Sequence, residues 1–261
     1  MPCRIAHLPA LLLRSAALAG LLGAAVSAPA APVAETGACP AVSTPALSLP
    51  HLKDALAHDE PAIIVAIGSS STQGWMASDR GQSYPSVLPA ALARLLPHSH
   101  IAVINRGVGG EDAAEETPRL DSDVVAVHPQ TVIWQVGANG ALRDVDPGVF
   151  RRLVTAGVAR LHKAGIDVVL MDNQRSPRIL AVPEHAAIDA ALAQIAHTTE
   201  ASLFSRGALM DGWAAAGSPY GDFVSPDRLH HNDRGYQCLG EAVAASVAAA
   251  VDTDRDADVS P

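Results

Sequence analysis

Short runs of apolar, mostly β-branched residues alternate with longer stretches of helical spacing, and this alternation constrains the fold more than any other feature. Near-continuous apolar strands separated by helices of ten or more residues are typical of a parallel sheet covered on both faces. Right-handed crossovers between such strands produce a doubly wound sheet. The sequence therefore predicts an α/β protein, a three-layer α/β/α sandwich with a mostly parallel five-stranded sheet. The expected strands are residues 63–67, 101–104, 131–136, 168–171 and 202–204, and the expected helices are residues 52–58, 87–96, 113–127, 147–164, 184–197 and 233–251.

The first thirty residues have the pattern of an export signal. Arg4 and Arg14 accompany an apolar stretch, residues 11–26, that ends in small residues and prolines. This pattern predicts a signal peptide over residues 1–30 and an exported protein, either periplasmic or secreted. The alternative is an uncleaved membrane anchor, although the apolar run is short for a spanning helix and Arg14 interrupts it. No later stretch has about twenty consecutive apolar residues, so we expect no membrane span in the mature form.

The composition of residues 31–261 predicts one folded domain with a short extension at each end. Residues 31–60 are rich in Pro, Ala, Ser and Thr and predict an N-terminal extension or linker, and the last ten residues, 252–261, form an acidic tail. The 261 residues are 49% hydrophobic and only 17% charged, which suits a single globular core over residues 61–251.

The charge of the chain limits the partners it can bind. The net charge is −9 with no basic run after the first fifteen residues, which argues against a nucleic-acid partner. The sequence shows no group of residues with metal-ligand spacing, so neither a metal nor another cofactor is expected.

Signal cleavage would remove Cys3 and leave Cys39 and Cys238. An even pair in an exported protein predicts a disulfide, and the alternative is two unrelated buried thiols.

Three of the predicted strands end in loops of small and polar residues. Chemistry gathers at this end of the strands in doubly wound sheets. Residues 68–74 read Gly-Ser-Ser-Ser-Thr-Gln-Gly, and a serine at such a strand-to-helix turn can expose its hydroxyl. The paired glycines in residues 105–112 can leave a backbone N–H free for an oxyanion, and the amide of Asn139 can donate to it as well. Each loop by itself is equally consistent with an ordinary turn or helix cap.

A fourth segment, residues 225–236, supplies an acid and a base. Asp227 and His230 are three residues apart in a predicted loop, where the two side chains can reach each other. A carboxylate in this position can hold the imidazole in the tautomer that accepts a proton from a serine hydroxyl.

Together these four segments resemble the sequence blocks of the SGNH hydrolases, also called the GDSL esterase/lipase family. Those blocks supply a Ser, a Gly, an Asn and a His, with an Asp three residues before the His. The resemblance covers about residues 60–250 and implies the flavodoxin-like SGNH hydrolase fold. It also implies a role for each residue. Ser70 is the nucleophile, and His230 is the base that Asp227 orients. The oxyanion hole consists of Gly110, Asn139 and the backbone N–H of Ser70.

One position departs from the family pattern. The first block of the family reads Gly-Asp-Ser, and Ser69 stands where the Asp would be. The choice of Ser70 as nucleophile follows from register, because Thr72 and Gly74 match the family only in that register. His231 competes with His230 as the base but lacks an acid three residues earlier.

The resemblance implies a serine esterase that hydrolyses short-chain acyl esters through an acyl-serine intermediate. The predicted export, the glycine-rich loops around the site and the lack of a lipid-binding helix suggest a short acyl group, and analogy with the family suggests O-acetyl groups on a carbohydrate, or another small ester. The alternatives are transfer of the acyl group to a sugar hydroxyl, lipase or thioesterase action on longer chains, and a non-catalytic carbohydrate-binding protein on the same fold. Trp75, Gln174 and Arg175 are candidates for substrate contacts. Trp75 comes just after the first loop and could line an acyl pocket, although packing between helix and sheet explains it equally well. Gln174 and Arg175 follow the fourth strand and could bind substrate hydroxyls, or could belong to an ordinary polar loop.

Overall fold

The computed structural model describes residues 37–252, and within this range the chain forms a five-stranded parallel sheet flanked by helices. The strand order is β2-β1-β3-β4-β5, and every neighbouring pair is parallel. The predicted α/β sandwich is therefore confirmed. The predicted signal peptide and almost all of the acidic tail lie outside the described residues. The strands are β1 (Ala62–Gly68), β2 (Ile101–Gly107), β3 (Thr131–Gln135), β4 (Asp167–Met171) and β5 (Ser202–Phe204).

The helices lie between and after these strands. Most are amphipathic or largely buried, and short 3₁₀ turns occur at Arg80–Gln82, Thr117–Arg119, Val125–Val127 and Tyr220–Asp222. The α-helices are α1 (Pro50–Ala57), α2 (Ser70–Gln73), α3 (Tyr84–Leu95), α4 (Ala113–Glu116), α5 (Leu120–Asp123), α6 (Ala138–Leu142), α7 (Pro147–Lys163), α8 (Pro177–Leu180), α9 (Glu184–Thr199), α10 (Arg206–Ala215) and α11 (Asp233–Val251).

The two faces of the sheet pack into two separate apolar clusters. Alternate residues of a strand point to opposite faces, so Ile64 joins the cluster that contains Leu88 of α3 and Leu239 of α11. Val65 joins the cluster on the other face, with residues of α7 and α9 such as Val158. Because both faces are covered, every residue of β3 and β4 is buried, which explains why these strands read as continuous apolar runs.

The strand register brings the carboxyl ends of the strands to one edge of the sheet. Gly68 at the end of β1 pairs with Gly107 on one side and with Gln135 on the other. Gln135 in turn pairs with Met171, and Met171 with Phe204. The loops that follow these strands therefore start side by side.

Several helical regions differ from the prediction, since the short helices α6 and α8 were not expected and two longer regions also differ. Residues 113–127 do not form one helix but α4, α5 and two 3₁₀ turns, because Pro118 has no N–H to donate to the carbonyl four residues earlier. Helix α10 was not predicted, because Gly207 and Gly212 lower the helix propensity of this stretch. The first residue of this helix is a buried arginine, Arg206.

A disulfide joins Cys39 to Cys238 of α11, the pairing expected from the sequence. The segment after Cys39 packs against the first apolar cluster through the partly buried Val42 and the buried Leu49. Between Gly37 and Asp252, no helix combines the length and the apolar character that crossing a bilayer requires.

Candidate active site

The first strand delivers a serine to the carboxyl edge of the sheet through a turn that only glycine permits. A Cβ on Gly68 would lie 2.5 Å from the carbonyl oxygen of Gln135 and 2.6 Å from Thr72 Oγ1. Ser70 follows as the first residue of α2, and the helix ends at Gly74 in the left-handed region, with φ of 91°. This short helix holds Ser70 beside the loop that follows β2.

Three of the residues expected from the sequence lie in one hydrogen-bonded chain. Nε2 of His230 lies 2.7 Å from Oγ of Ser70, and Nδ1 of the same imidazole lies 2.5 Å from Oδ2 of Asp227. Ser70 and His230 are 160 positions apart in the sequence. The imidazole is thus placed to take a proton from the serine hydroxyl while the carboxylate holds its other nitrogen.

Asp227 organises the turn that carries the imidazole. Its Oδ1 accepts hydrogen bonds from the hydroxyl of Ser225 at 2.8 Å and from the backbone N–H groups of Leu229 and His230 at 2.9 and 3.0 Å. Partial burial alone would raise the pKa of Asp227, but the bond from the His230 ring and these three bonds outweigh it. They lower the pKa to about 2. The carboxylate therefore stays charged across the physiological pH range.

The second and third loops lie next to α2. Gly107 packs so tightly on α2 that a Cβ there would lie 2.2 Å from the backbone nitrogen of Gln73. A Cβ on the following Gly109 would lie 3.9 Å from Cβ of Ser70. Gly110 adopts a left-handed φ of 87°. The loop that contains both predicted glycines therefore runs alongside Ser70.

Helix α6 holds this loop in place. Nδ2 of Asn139 donates to the carbonyl of Glu111 at 2.7 Å, and Arg143 donates to the carbonyl of Gly110 at 2.7 Å. One hydrogen of the Asn139 amide remains for another acceptor, because the amide group carries two. Among the described residues, the backbone N–H groups of Ser70 and Gly110 have no hydrogen-bond partner, so both are available to an acceptor.

Ser69, which departs from the family pattern, is buried and faces Gln135. Its backbone N–H and its hydroxyl donate to Oε1 of Gln135 at 3.2 and 3.0 Å, and Oγ1 of Thr72 donates to the same oxygen at 3.2 Å. Gln135, at the end of β3, thus supplies the acceptor for this loop. Sequence reasoning missed Gln135, since nothing in its own surroundings distinguishes it from an ordinary strand residue.

The three candidate substrate-contact residues lie in different environments. Trp75 is 55% exposed and borders a cleft of about 500 Å³ next to α2. Gln174 is almost completely buried, and its amide donates to the carbonyl of Leu229. Arg175 is partly buried and donates to Asp189 and Asp211. Trp75 is thus the candidate that faces solvent beside the site.

His231, the neighbour of the candidate base, lies in a different environment. It is completely buried, with Nδ1 3.0 Å from the carbonyl oxygen of Phe223. Burial and the nearby charge of Arg206 lower the pKa of His231 to about 3, so this imidazole is neutral. His231 therefore has a packing role, which agrees with the choice of His230 as the candidate base.

Within the part of the chain that the structure describes, no three His, Cys, Asp or Glu side chains are grouped so that they could hold a metal ion.

The family follows from comparison with known sequences. The model of the non-GDSL lipase-like family matches residues 36–253. The chain belongs to this family. The resemblance to the SGNH hydrolases expected from the four sequence blocks is thereby confirmed. The absence of the Gly-Asp-Ser motif agrees with the name of the family.

The chain is also similar to a curated esterase sequence and, in fold, to solved esterase structures. An arylesterase of Vibrio mimicus is 28% identical over 115 residues, which are 44% of this chain and 56% of the arylesterase, so the chain spans just over half the length of this curated relative. The acetylxylan esterase Axe2 of Geobacillus stearothermophilus has the same fold, with a TM-score of 0.61, 19% identity and coverage of 71% of this chain and 94% of Axe2. A two-domain esterase active on acetylated mannans matches with a TM-score of 0.65, 21% identity and coverage of 79% of this chain and 55% of that one.

Proposed function

We propose that this protein is an exported serine esterase that removes short acyl groups, such as acetyl, from carbohydrate esters. The observation that carries this proposal is the contact between Nε2 of His230 and Oγ of Ser70, with Asp227 on the other ring nitrogen. This arrangement activates a hydroxyl as a nucleophile, which the esterase reaction needs.

In the first half of the reaction, Oγ of Ser70 attacks the ester carbonyl carbon while its proton passes to Nε2 of His230. The carbonyl oxygen becomes negatively charged in a tetrahedral intermediate. When this intermediate collapses, the bond to the alcohol oxygen breaks and His230 gives its proton to the leaving alcohol. An acyl group remains on Ser70, and Asp227 balances the positive charge that the imidazole carries between the two transfers.

In the second half, water repeats the attack on the acyl-serine. His230 takes a proton from the water as its oxygen bonds to the acyl carbon. The second tetrahedral intermediate then releases Ser70, which regains its proton from His230, and the carboxylic acid leaves. No proton or electron is left unaccounted for, so the cycle needs only ester and water.

The oxyanion of both intermediates needs hydrogen-bond donors. The unpartnered N–H groups of Ser70 and Gly110 and the second N–H of Asn139 are the donors we assign to it. Since the loop of Gly110 is held by Arg143 and Asn139, these donors need little reorganisation when charge develops.

Two features support a carbohydrate ester as substrate. The cleft beside α2 is lined by the exposed indole of Trp75 together with polar side chains that include Gln73, Arg80 and Asn105. An aromatic face bordered by hydrogen-bonding groups suits a sugar ring. The solved structures of similar fold include esterases of acetylated xylan and acetylated mannan, which agrees with this substrate class.

A small apolar cluster next to the site supports a short acyl group as substrate. The neighbours of Asn139 and His230 in the sequence, Ala138 and Leu229, are buried and pack together with Ile179 in a small apolar cluster. Because these side chains already fill the space between them, a long acyl chain would have to displace them.

The disulfide between Cys39 and Cys238 supports export, since such bonds persist in oxidising compartments. The signal-like pattern of residues 1–30 points in the same direction.

The nucleophile is tested by two serine variants that differ by one position. Ser70→Ala should abolish turnover of p-nitrophenyl acetate and labelling by a fluorophosphonate probe. Ser71→Ala, the same change at the next residue of α2, should keep both. Equal activity of Ser70→Ala and the wild type would exclude the proposed mechanism.

The substrate class is tested by comparing rates on acetylated xylo-oligosaccharide and on p-nitrophenyl esters of two to twelve acyl carbons. We expect the rate to fall as the acyl chain lengthens. Trp75→Ala should raise KM for the oligosaccharide and leave KM for p-nitrophenyl acetate nearly unchanged. Equal effects on both substrates would count against a sugar-binding role of the cleft.

A further inference from the structure

An arginine without exposed surface lies at the start of α10. Arg206 is completely buried, and burial lowers the pKa of its guanidinium. Its Nε donates to the carbonyl oxygen of Asp172 at 3.1 Å and its Nη2 donates to Oε1 of Gln174 at 2.7 Å, while Nη1 has no partner among the described residues. Burying a cation costs free energy, and these two hydrogen bonds offset part of that cost.

The contact with Arg206 fixes the orientation of the Gln174 amide. Because a guanidinium only donates, the amide must present its oxygen to Arg206 and its nitrogen to the opposite side. On that side Nε2 donates to the carbonyl oxygen of Leu229 at 3.0 Å. Both partners and the amide itself are buried, so no water competes for these bonds. Arg206 and Gln174 thus form a two-step link that ends on the backbone of Leu229.

Leu229 is the residue directly before His230. Its N–H and that of His230 both donate to Asp227, so one side of this turn is held from within. Arg228, one residue earlier, has a positive φ of 63°, a conformation that costs free energy in a residue with a side chain and persists only where the surroundings enforce it. Gln174 holds the same turn from the sheet side, across 55 positions of sequence.

We propose that Gln174 and Arg206 are positioning residues that hold the Leu229–His230 backbone where the imidazole meets Ser70. Arg206 acts on Gln174, and Gln174 acts on the turn, so neither residue touches the reacting atoms. The expected effect on turnover rests on the proposed esterase function, whereas the expected effect on the turn does not. This role differs from the substrate contact that the position of Gln174 after β4 had suggested.

The decisive variant is Gln174→Glu. The carboxylate can still accept from Arg206, and gains a charge to pair with it, but it has no N–H for the carbonyl of Leu229. The fold should therefore survive while the turn loses its bond to residue 174 and keeps the backbone bond from Arg178 N–H to the carbonyl of Arg228. Gln174→Met removes both bonds at similar size and serves as a second variant. Gln130→Met is the matched control, since Gln130 accepts a hydrogen bond from Ile63 N at the opposite end of the sheet.

Two readouts separate positioning from stability. Hydrogen exchange of the Leu229 and His230 amides should be faster in both Gln174 variants and unchanged in Gln130→Met. With p-nitrophenyl acetate, loss of this one bond should lower kcat about 10- to 100-fold with KM within about threefold of wild type. The rate of fluorophosphonate labelling should fall in parallel with kcat, and thermal melting should show Gln174→Glu folded at the assay temperature.

The outcomes are distinguishable. Unchanged exchange at Leu229 and His230 in both Gln174 variants would overturn the proposal, as would faster exchange with unchanged kcat and labelling. A kcat loss in Gln130→Met as large as in the Gln174 variants would also overturn it, because general destabilisation would then explain the effect. If wild type and Ser70→Ala turned over ester equally, the esterase proposal would fail while the exchange data still decided whether Gln174 holds the turn.

Discussion

Replacing Asp227 with Asn should separate the two tasks of this carboxylate. Oδ1 accepts three hydrogen bonds that shape the turn, and Oδ2 accepts one from the His230 ring. An Asn with its oxygen in the Oδ1 position keeps the first three bonds. Its NH₂ group, however, then faces Nδ1 of His230, so the imidazole must accept there and carry its proton on Nε2. Nε2 can then no longer accept the proton of Ser70.

The expected magnitudes differ for activity and stability. A wrong tautomer of this kind costs about 10⁴-fold in kcat in serine proteases, and we expect a loss of that order in Asp227→Asn. The lowering of the Asp227 pKa from 3.8 to about 2 corresponds to about 2.4 kcal/mol, which screening at this partly exposed group reduces to about 1–2 kcal/mol. Because the pKa is lowered on folding, this stabilisation is present above about pH 4 and is lost as the pH falls towards 2.

The assay pairs p-nitrophenyl acetate turnover with urea unfolding at pH 7 and at intervals down to pH 2. Asp227→Asn should be nearly inactive and folded, and its stability deficit should shrink as the pH falls below 4. Asp227→Ala leaves the donors of the turn without an acceptor, so it should be less stable than Asp227→Asn by about 2 kcal/mol. More than a tenth of wild-type kcat in Asp227→Asn, or equal stability of the two variants, would refute this reasoning.

Three further predictions concern other parts of the structure. Asn139→Ala should lower kcat by about 10²–10³-fold with little change in KM, measured with p-nitrophenyl acetate. Replacing both Cys39 and Cys238 with Ser opens a loop of 199 residues, for which chain entropy gives up to about 5 kcal/mol, and urea unfolding should show the loss. Ser69→Asp puts a carboxylate against the oxygen of Gln135 in a buried position and should cost about 3 kcal/mol by the same measurement, whereas Ser69→Thr, which keeps the hydroxyl, should cost less.

The sheet was predictable from the sequence because its strands carry their own signal. Five apolar runs, with helical stretches between them, are enough to indicate a parallel sheet with both faces covered. In residues 113–127, Pro118 indicates a break in the helix, but the helical spacing of the apolar residues around it favoured one continuous helix. Helix α10 carried almost no signal, because its two glycines lower the propensity and its place depends on burial of Arg206.

The residues that form the hydrogen-bonded chain could be proposed from sequence because short spacings and strand ends locate them. Asp227 and His230 are three residues apart, and Ser70 follows a strand. The residues that support them have no such local mark. Gln174 meets Leu229 across 55 positions, and Gln135 meets Ser69 across 66. Contacts of this kind depend on how distant segments pack, which no short motif encodes.

Ser69 differs from the Asp of the Gly-Asp-Ser motif, and its contacts show which groups satisfy this loop in the present chain. In that motif an Asp precedes the serine, and a carboxylate accepts hydrogen bonds. Here Ser69 donates, and the acceptor is Oε1 of Gln135, which receives bonds from both polar groups of Ser69 and from Thr72. In this chain the end of β3 therefore supplies the acceptor for the donors of the loop. Because the side chains of Ser69 and Gln135 are both neutral, no negative charge from this position lies beside Ser70 to oppose the oxyanion that we assign to the reaction.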